Sequence, residues 1–276
     1  MKAKASDFFG RFREIISDPL NLLIERHPSS GMVDANGYVC LHNGNRVPLS
    51  GENSYYGEFS KVLIVNRGVH EPLEEFCFQE TLKKIKDQKP KMIELGSFWA
   101  HYSMWFMKKF PNAECFMIEP SSKLLNIGQK NFQINGFPNG EFIRAKVAND
   151  GLRLDSFADE RKLKKISILH SDIQGWELEM LNGANGFLTQ QMADYVFIST
   201  HSQKIHEEAI KKLESLSYII EVSSDYDHQT TSYDGFILAT ASSADRIFKT
   251  FRHFGRNEII SGTPPQMIKY LHTFID

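Results

Sequence analysis

From about Met92 onward, short apolar runs alternate with stretches of helical spacing, the rhythm of β-α units that feed a parallel sheet. The first run, Met92-Ile93-Glu94-Leu95, ends at Gly96, and residues 102–107 then read as a buried helix. Glu114-Cys115-Phe116-Met117-Ile118 stops at Glu119-Pro120, and Ser121 or Ser122 caps a helix predicted to run to about Gln133. A third run covers 142–147; a polar connection leads to 166–171, which ends at Asp172, and a helix is expected from about 176 to 188. Residues 195–199 form a fifth strand, a helix follows over about 203–215, and 218–222 and 235–240 complete the strands.

The loop between those last two strands, 223–234, is too long for a tight hairpin and is crowded with Asp, Tyr, His and Thr; a loop of that length is expected to carry function or to be mobile. Residues 1–70 differ in character and are read as a small N-terminal cap. They hold β-like pieces at Tyr38-Val39-Cys40-Leu41 and Lys61-Val62-Leu63-Ile64-Val65, and polar aromatic stretches at Tyr55-Tyr56-Gly57-Glu58 and 66–72. A helix over about 71–86 opens the core, assigned to 71–253. The tail, 254–276, is linker-like at Ser261-Gly262-Thr263-Pro264-Pro265 and ends in a short helix over 266–274.

Composition narrows the class. The chain has 276 residues, 41% hydrophobic and 24% charged, the proportions of a globular protein with a proper core. Thirty-two basic residues against 34 acidic ones leave a net charge of −2, which argues against nucleic acid as partner. Cys40, Cys77 and Cys115 form no CxxC pair, so reduced thiols and a cytoplasmic setting are expected. No apolar run approaches the ~18 residues of a membrane span, and charges interrupt the N-terminal apolar stretch, so neither a signal peptide nor an anchor is expected.

In an open parallel sheet the binding crevice lies at the carboxyl ends of the strands. There stand Glu94 with Gly96 and Ser97, Glu119, Asp172, His201 and the 225–228 stretch. Gly96 and Ser97 are small enough for backbone to approach a ligand at a helix start. Glu119, 23 positions beyond Gly96, has the spacing of a carboxylate that accepts both ribose hydroxyls. A nucleoside-type ligand accounts for both, while a structural glycine and an acid that merely ends a strand are the plain alternatives. Trp99, Trp105 and Trp176 are expected in or near the core.

Ile93-Glu94-Leu95-Gly96, Tyr102-Ser103, Ile118-Glu119-Pro120, the segment 131–136 and Asp172-Ile173-Gln174-Gly175-Trp176-Glu177 with its continuation to Ala184 resemble the FkbM family of S-adenosylmethionine-dependent methyltransferases, in order over roughly 90–200. The resemblance implies an α/β class I methyltransferase (Rossmann-like) fold, a seven-stranded mostly parallel sheet with an antiparallel last strand. It also implies O-methylation of a sugar or sugar-containing metabolite, with Glu94 and Gly96 near the methionine part of the cofactor and Glu119 on the ribose. Three positions depart from the family pattern: Ala100 stands for the second glycine, Phe98 for a frequent Asn and Gln174 for a common Glu.

Asp172 and His201, at the ends of neighbouring strands, are the expected catalytic pair, since either can accept the proton of a reacting hydroxyl. Asp172 also counts among the expected cofactor contacts. Alternatively the pair holds a divalent metal with Asp225, Asp227 or His228, or Asp172 caps a helix and His201 makes a structural bond. His70, Glu71 and His228 are expected on the acceptor side, where aromatic and polar groups suit a sugar or other small hydroxylated acceptor; ordinary turns, with Glu71-Pro72 starting a helix, are the plain alternative for the first two. Two competing functions are a non-catalytic binding protein on the same fold and a nicotinamide-dependent dehydrogenase, the latter disfavoured by the missing three-glycine turn.

Overall fold

The computed structural model describes residues 8–55, 57–137 and 140–274; Tyr56 of the aromatic cap stretch lies outside the described residues. The chain forms two units, one of Met1–Glu80, Ser224–Asp234 and Arg252–Asp276, the other of Thr81–Ser223 and Gly235–Phe251. This grouping is discontinuous in sequence, because the loop before the last strand and the tail both pack in the first unit, whereas the sequence boundaries at 70 and 253 mark changes of patterning.

The first unit begins with α1 (Phe8–Ser17), followed by the antiparallel pair β1 (Tyr38–Cys40) and β2 (Arg46–Pro48). The 61–65 run is not extended: it closes a 3-10 turn and forms α2 (Val62–Val65). Val62 and Leu63 are buried while Ile64 and Val65 face outward, the one-sided burial of a helical turn that a short apolar run cannot announce. α3 (Pro72–Lys84) starts with proline in its first turn, where the missing amide proton is no loss.

In the second unit, β3 (Lys91–Leu95), α4 (His101–Lys109), β4 (Glu114–Ile118), α5 (Ser122–Asn135) and β5 (Glu141–Ile143) follow in turn. Ser121 Oγ caps α5 at the amide of Leu124, and Gly136 ends it in the left-handed region at φ +72°. β5 is shorter than the apolar run 142–147, which leaves the sheet after Ile143, and Val147 pairs only with Leu152. The polar connection contains α6 (Leu154–Glu160), whose Leu154, Phe157 and Ala158 are buried at helical spacing.

Then come β6 (Ile166–Ser171), α7 (Glu177–Gly183) and α8 (Asn185–Thr189). The single helix expected over 176–188 is broken at Ala184, because the Asp155 carboxylate accepts the amides of Gly186 and Phe187 at 3.1 and 2.7 Å and caps a new start. β7 (Ala193–Thr200), α9 (Gln203–Ser215), β8 (Tyr218–Ser224) and β9 (Gly235–Ala241) complete this unit's elements. α10 (Arg256–Ser261) and α11 (Pro264–His272) belong to the first unit, and between them they take up both ends of the 261–265 stretch read as linker-like. Arg256 of α10 pairs at 2.9 Å with Glu14 of α1, both buried.

The seven strands lie in the order β5-β4-β3-β6-β7-β9-β8, parallel from β5 to β7, with β9 antiparallel to β7. Ile93, Leu95, Leu169, Val196, Ile198 and Ile237 are fully buried in its core. Each contributes about 1.5–3 kcal/mol by leaving water. From β3 the chain runs outward through β4 and β5, then returns to β6 on the other side of β3. That reversal opens a crevice at the carboxyl ends of β3 and β6, where Gly96 and Asp172 stand.

Candidate active site

Gly96 has φ +72°, and a Cβ on it would lie 1.7 Å from the Asp172 carbonyl oxygen. Glycine is therefore required here so that the turns after β3 and β6 can touch. The amides of Gly96 and Ser97 both donate to Ile118 O, at 2.8 and 3.2 Å, tying the same turn to β4. Ser97 Oγ is buried and has no hydrogen-bond partner among the described residues.

Phe98 and Ala100 occupy the left-handed region, at φ +38° and +58°. Glycine and asparagine, the residues they replace in the family pattern, adopt that region most easily. The turn thus keeps its backbone course with residues that strain it. Ala100 is the N-cap of α4 and offers no side-chain acceptor; Glu94 supplies one from β3, its Oε2 accepting the Ser103 amide at 3.1 Å. Burial raises the Glu94 pKa, opposed by nearby His170 and by the Ser103 and Tyr102 amides.

Glu119 ends β4 with Oε1 accepting the Ser121 amide at 2.9 Å. Burial raises its pKa, the amides of Ser121 and Phe98 oppose this, and the charge of Asp172 adds to it. A cleft of about 250 Å³ runs beside it, lined by Gly96, Glu119, Lys146, Asp172, Gln174 and Trp176 together with apolar side chains from the same strand ends. Trp176 is not in the core: it is 40% exposed, and Lys146 Nζ stands 3.5 Å above its ring. Trp99 and Trp105 are buried as expected.

Asp172 does not cap α7, whose N-cap is Trp176 with no side-chain bond. Its Oδ1 accepts Gln174 Nε2 at 3.0 Å, so the amide at 174 faces the carboxylate without the repulsion a glutamate would bring. His201 Nε2 lies 3.3 Å from the same oxygen, and His201 Nδ1 lies 2.6 Å from Oε1 of Glu177. Glu177 is fully buried, and its Oε1 also accepts the Gly175 amide at 3.0 Å.

The structure thus gathers Gly96, Glu119 and Asp172 around the cleft and sets His201 against Asp172, whereas Glu94 and Ser97 are buried behind the same turn. Sequence reasoning passed over Glu177; its signal was the acid five positions after Asp172, across a Gln174-Gly175 turn with φ of +53° and +98°. In the first unit, His70 is 2% exposed, with Nδ1 2.5 Å from Glu75 and Nε2 3.2 Å from Glu71. His228 is exposed there, 3.3 Å from Asp225, whose Oδ1 accepts the amides of His228 and Gln229 at 2.6 and 3.3 Å.

Among solved structures, the chain is similar to precorrin-6y C5,15-methyltransferase from Geobacter metallireducens, at 16% identity over 60% of this chain and 87% of that one, TM-score 0.43. It is similar to M. capricolum TrmK in complex with S-adenosyl-homocysteine, at 16% identity over 72% and 82%, TM-score 0.42. Aeropyrum pernix fibrillarin with bound S-adenosyl-L-methionine is similar at 13% identity over 59% and 76%, TM-score 0.41. No curated protein matches the chain. The family model of the methyltransferase FkbM domain matches residues 71–220, more than half of the chain, which therefore belongs to the FkbM family of S-adenosylmethionine-dependent methyltransferases.

Proposed function

We propose that this methyltransferase acts on oxygen, at a hydroxyl of a carbohydrate or similar polar metabolite. The observation that carries the proposal is the Asp172–His201 pair: two proton-accepting groups 3.3 Å apart at the ends of neighbouring strands, one of them lining the cleft. A hydroxyl, unlike a thioether or a neutral amine, is a poor nucleophile until its proton can leave, and such a pair offers the proton a destination. The strand-end residues fit S-adenosylmethionine: Glu119 offers acceptors for a ribose diol, and Ser97 Oγ is a buried polar atom with no partner among the described residues. Bound there, S-adenosylmethionine supplies a methyl group on an electrophilic sulfonium.

In this reading Glu119 binds the ribose, and Glu94, Gly96 and Ser97 shape the methionine end. Asp172 borders both cofactor and acceptor. Positioning supplies most of the rate and proton removal the smaller share. Asp172 and His201 act as proton acceptors here; the divalent-metal reading is met by the same experiment.

The protein is incubated with methyl-labelled S-adenosylmethionine and a panel of monosaccharides, methyl glycosides and hydroxylated phenols, with Mg or with EDTA. Label on a sugar hydroxyl, unchanged by EDTA and reduced about 100-fold in both D172A and H201A, is the expected result. Label only on phenols would remove the carbohydrate assignment. Transfer undiminished in both variants would remove the proton-acceptor assignment, and loss in EDTA with recovery in Mg would establish the metal reading in its place.

A further inference from the structure

We infer that Glu177 is a positioning residue for methyl transfer: its buried carboxylate holds His201 with the ring proton on Nδ1 and presents Nε2 beside Asp172. The inference rests on the role proposed above for His201. Glu177 is the first residue of α7, and its side chain is completely buried. Its Oε1 accepts the Gly175 amide at 3.0 Å and lies 2.6 Å from Nδ1 of the His201 ring. Oε1 already accepts the Gly175 N–H, so it is the acceptor on the His201 side as well and the ring nitrogen facing it is the donor. Of the ring's two carboxylate contacts the one to Glu177 is the shorter, 2.6 Å against 3.3 Å to Asp172 Oδ1, so the single proton of neutral His201 is assigned to Nδ1 and Nε2 is left to accept.

The backbone supports the same orientation. Ser202, next in the chain, caps α9 by accepting the Ile205 amide at 3.2 Å, so the main chain at His201 is held and ring rotation is the remaining freedom. Glu177 removes that freedom. On the acceptor side, the left-handed Gln174 and Gly175 fold the segment back so that Asp172 and Glu177, five positions apart, flank one imidazole. During transfer the acceptor O–H bond breaks, its oxygen forms the new O–CH3 bond as the S–CH3 bond breaks, and the proton passes to Nε2. The imidazolium so formed lies between two carboxylates before it releases the proton to water.

The test needs no acceptor for its deciding arm. Ring nitrogens are observed by 15N NMR in wild type, E177A and E177Q, with H201N used to assign the His201 signals. Neutral His201 in wild type is expected as the Nδ1–H form, and in E177A as predominantly Nε2–H, the form a free imidazole side chain prefers. In E177Q the Gly175 amide still selects the amide oxygen for the inner position, so the Nδ1–H form is retained. E177Q is thereby the variant that keeps geometry without charge, and it covers the case in which E177A does not fold.

With an acceptor from the panel above, kcat is expected to fall about 100-fold in E177A and by less than about tenfold in E177Q. The KM for S-adenosylmethionine should stay within about twofold in both. An Nδ1–H spectrum that persists in E177A, or is lost in E177Q, would overturn the inference. So would a folded E177A with unchanged kcat. If H201A retained full activity while the spectra behaved as expected, the proton-acceptor role would fall and the Glu177–His201 hydrogen bond would stand.

Discussion

The turn after β3 shows how single side chains bear on stability and, in the proposed reading, on cofactor binding. Ala100 holds φ +58° while fully buried. A Cβ in that region costs about 1 kcal/mol or more relative to glycine. Ala100→Gly is therefore expected to stabilise the protein by about 1 kcal/mol, read as a higher urea midpoint with an unchanged slope; a lower midpoint would mean that the methyl group packs better than the strain hurts. Glu119 lines the cleft and accepts the Ser121 amide at 2.9 Å, so in the proposed reading its oxygens serve the fold and a ligand together. Glu119→Ala should weaken S-adenosylmethionine binding at least tenfold in calorimetric titration, since hydrogen bonds to a charged acceptor contribute about 1.5–3 kcal/mol. Equal affinity would remove Glu119 from the site.

Among the elements, α3 carries the clearest pH dependence. At its start Glu75 accepts the amides of His70 and Glu71 at 2.9 and 3.1 Å and pairs with the rings of His70 and His42 at 2.5 and 2.8 Å. Burial alone would lower the His70 pKa, but the Glu75 and Glu71 carboxylates outweigh it and push it up to about 10. For Glu75 burial works the other way, and the two imidazoles overcome it and hold the carboxyl well below its usual value of 4.5. A raised histidine pKa gives stability that is complete below the unfolded value of 6.5 and is lost as pH rises through about 10. The depressed Glu75 gives stability that is complete above 4.5 and is lost as pH falls through its folded-state value. Chemical unfolding should accordingly show a decline of a few kcal/mol on the order of 1.4 per unit shift between about pH 7 and 10. His70→Gln should flatten that limb. A wild-type stability constant across this range would show that His70 stays neutral in the fold.

For the molecule as a whole, cofactor binding and folding are linked, because a ligand that binds only the native state stabilises it by RT ln(1 + [L]/Kd). S-adenosylmethionine at 100 times its Kd should add about 2.7 kcal/mol and raise Tm by a few degrees, with NAD giving no shift. A shift with NAD alone would return the dehydrogenase reading. No helix among the described residues is long and apolar enough to cross a membrane. Much of the second unit was legible in the chain: five parallel strands and an antiparallel one announce themselves through apolar runs, α5 through Ser121 and Gly136, and α9 through a 13-residue amphipathic stretch. Those signals are local, since each element's period and caps are written in neighbouring residues. α2, α6 and the break at Ala184 were not legible, because a four-residue apolar run has no period of its own and the Asp155 cap comes from 31 positions away. The sequence by itself determined the strand-end acids, Glu94, Glu119 and Asp172, and the family motifs around them. Only the tertiary structure decided that Gly96 answers to the Asp172 carbonyl, that His70 is sealed between carboxylates, and that Glu177 grips His201. Each of these is a contact between segments far apart or turned back on one another, and close packing in three dimensions leaves no periodic trace along the chain.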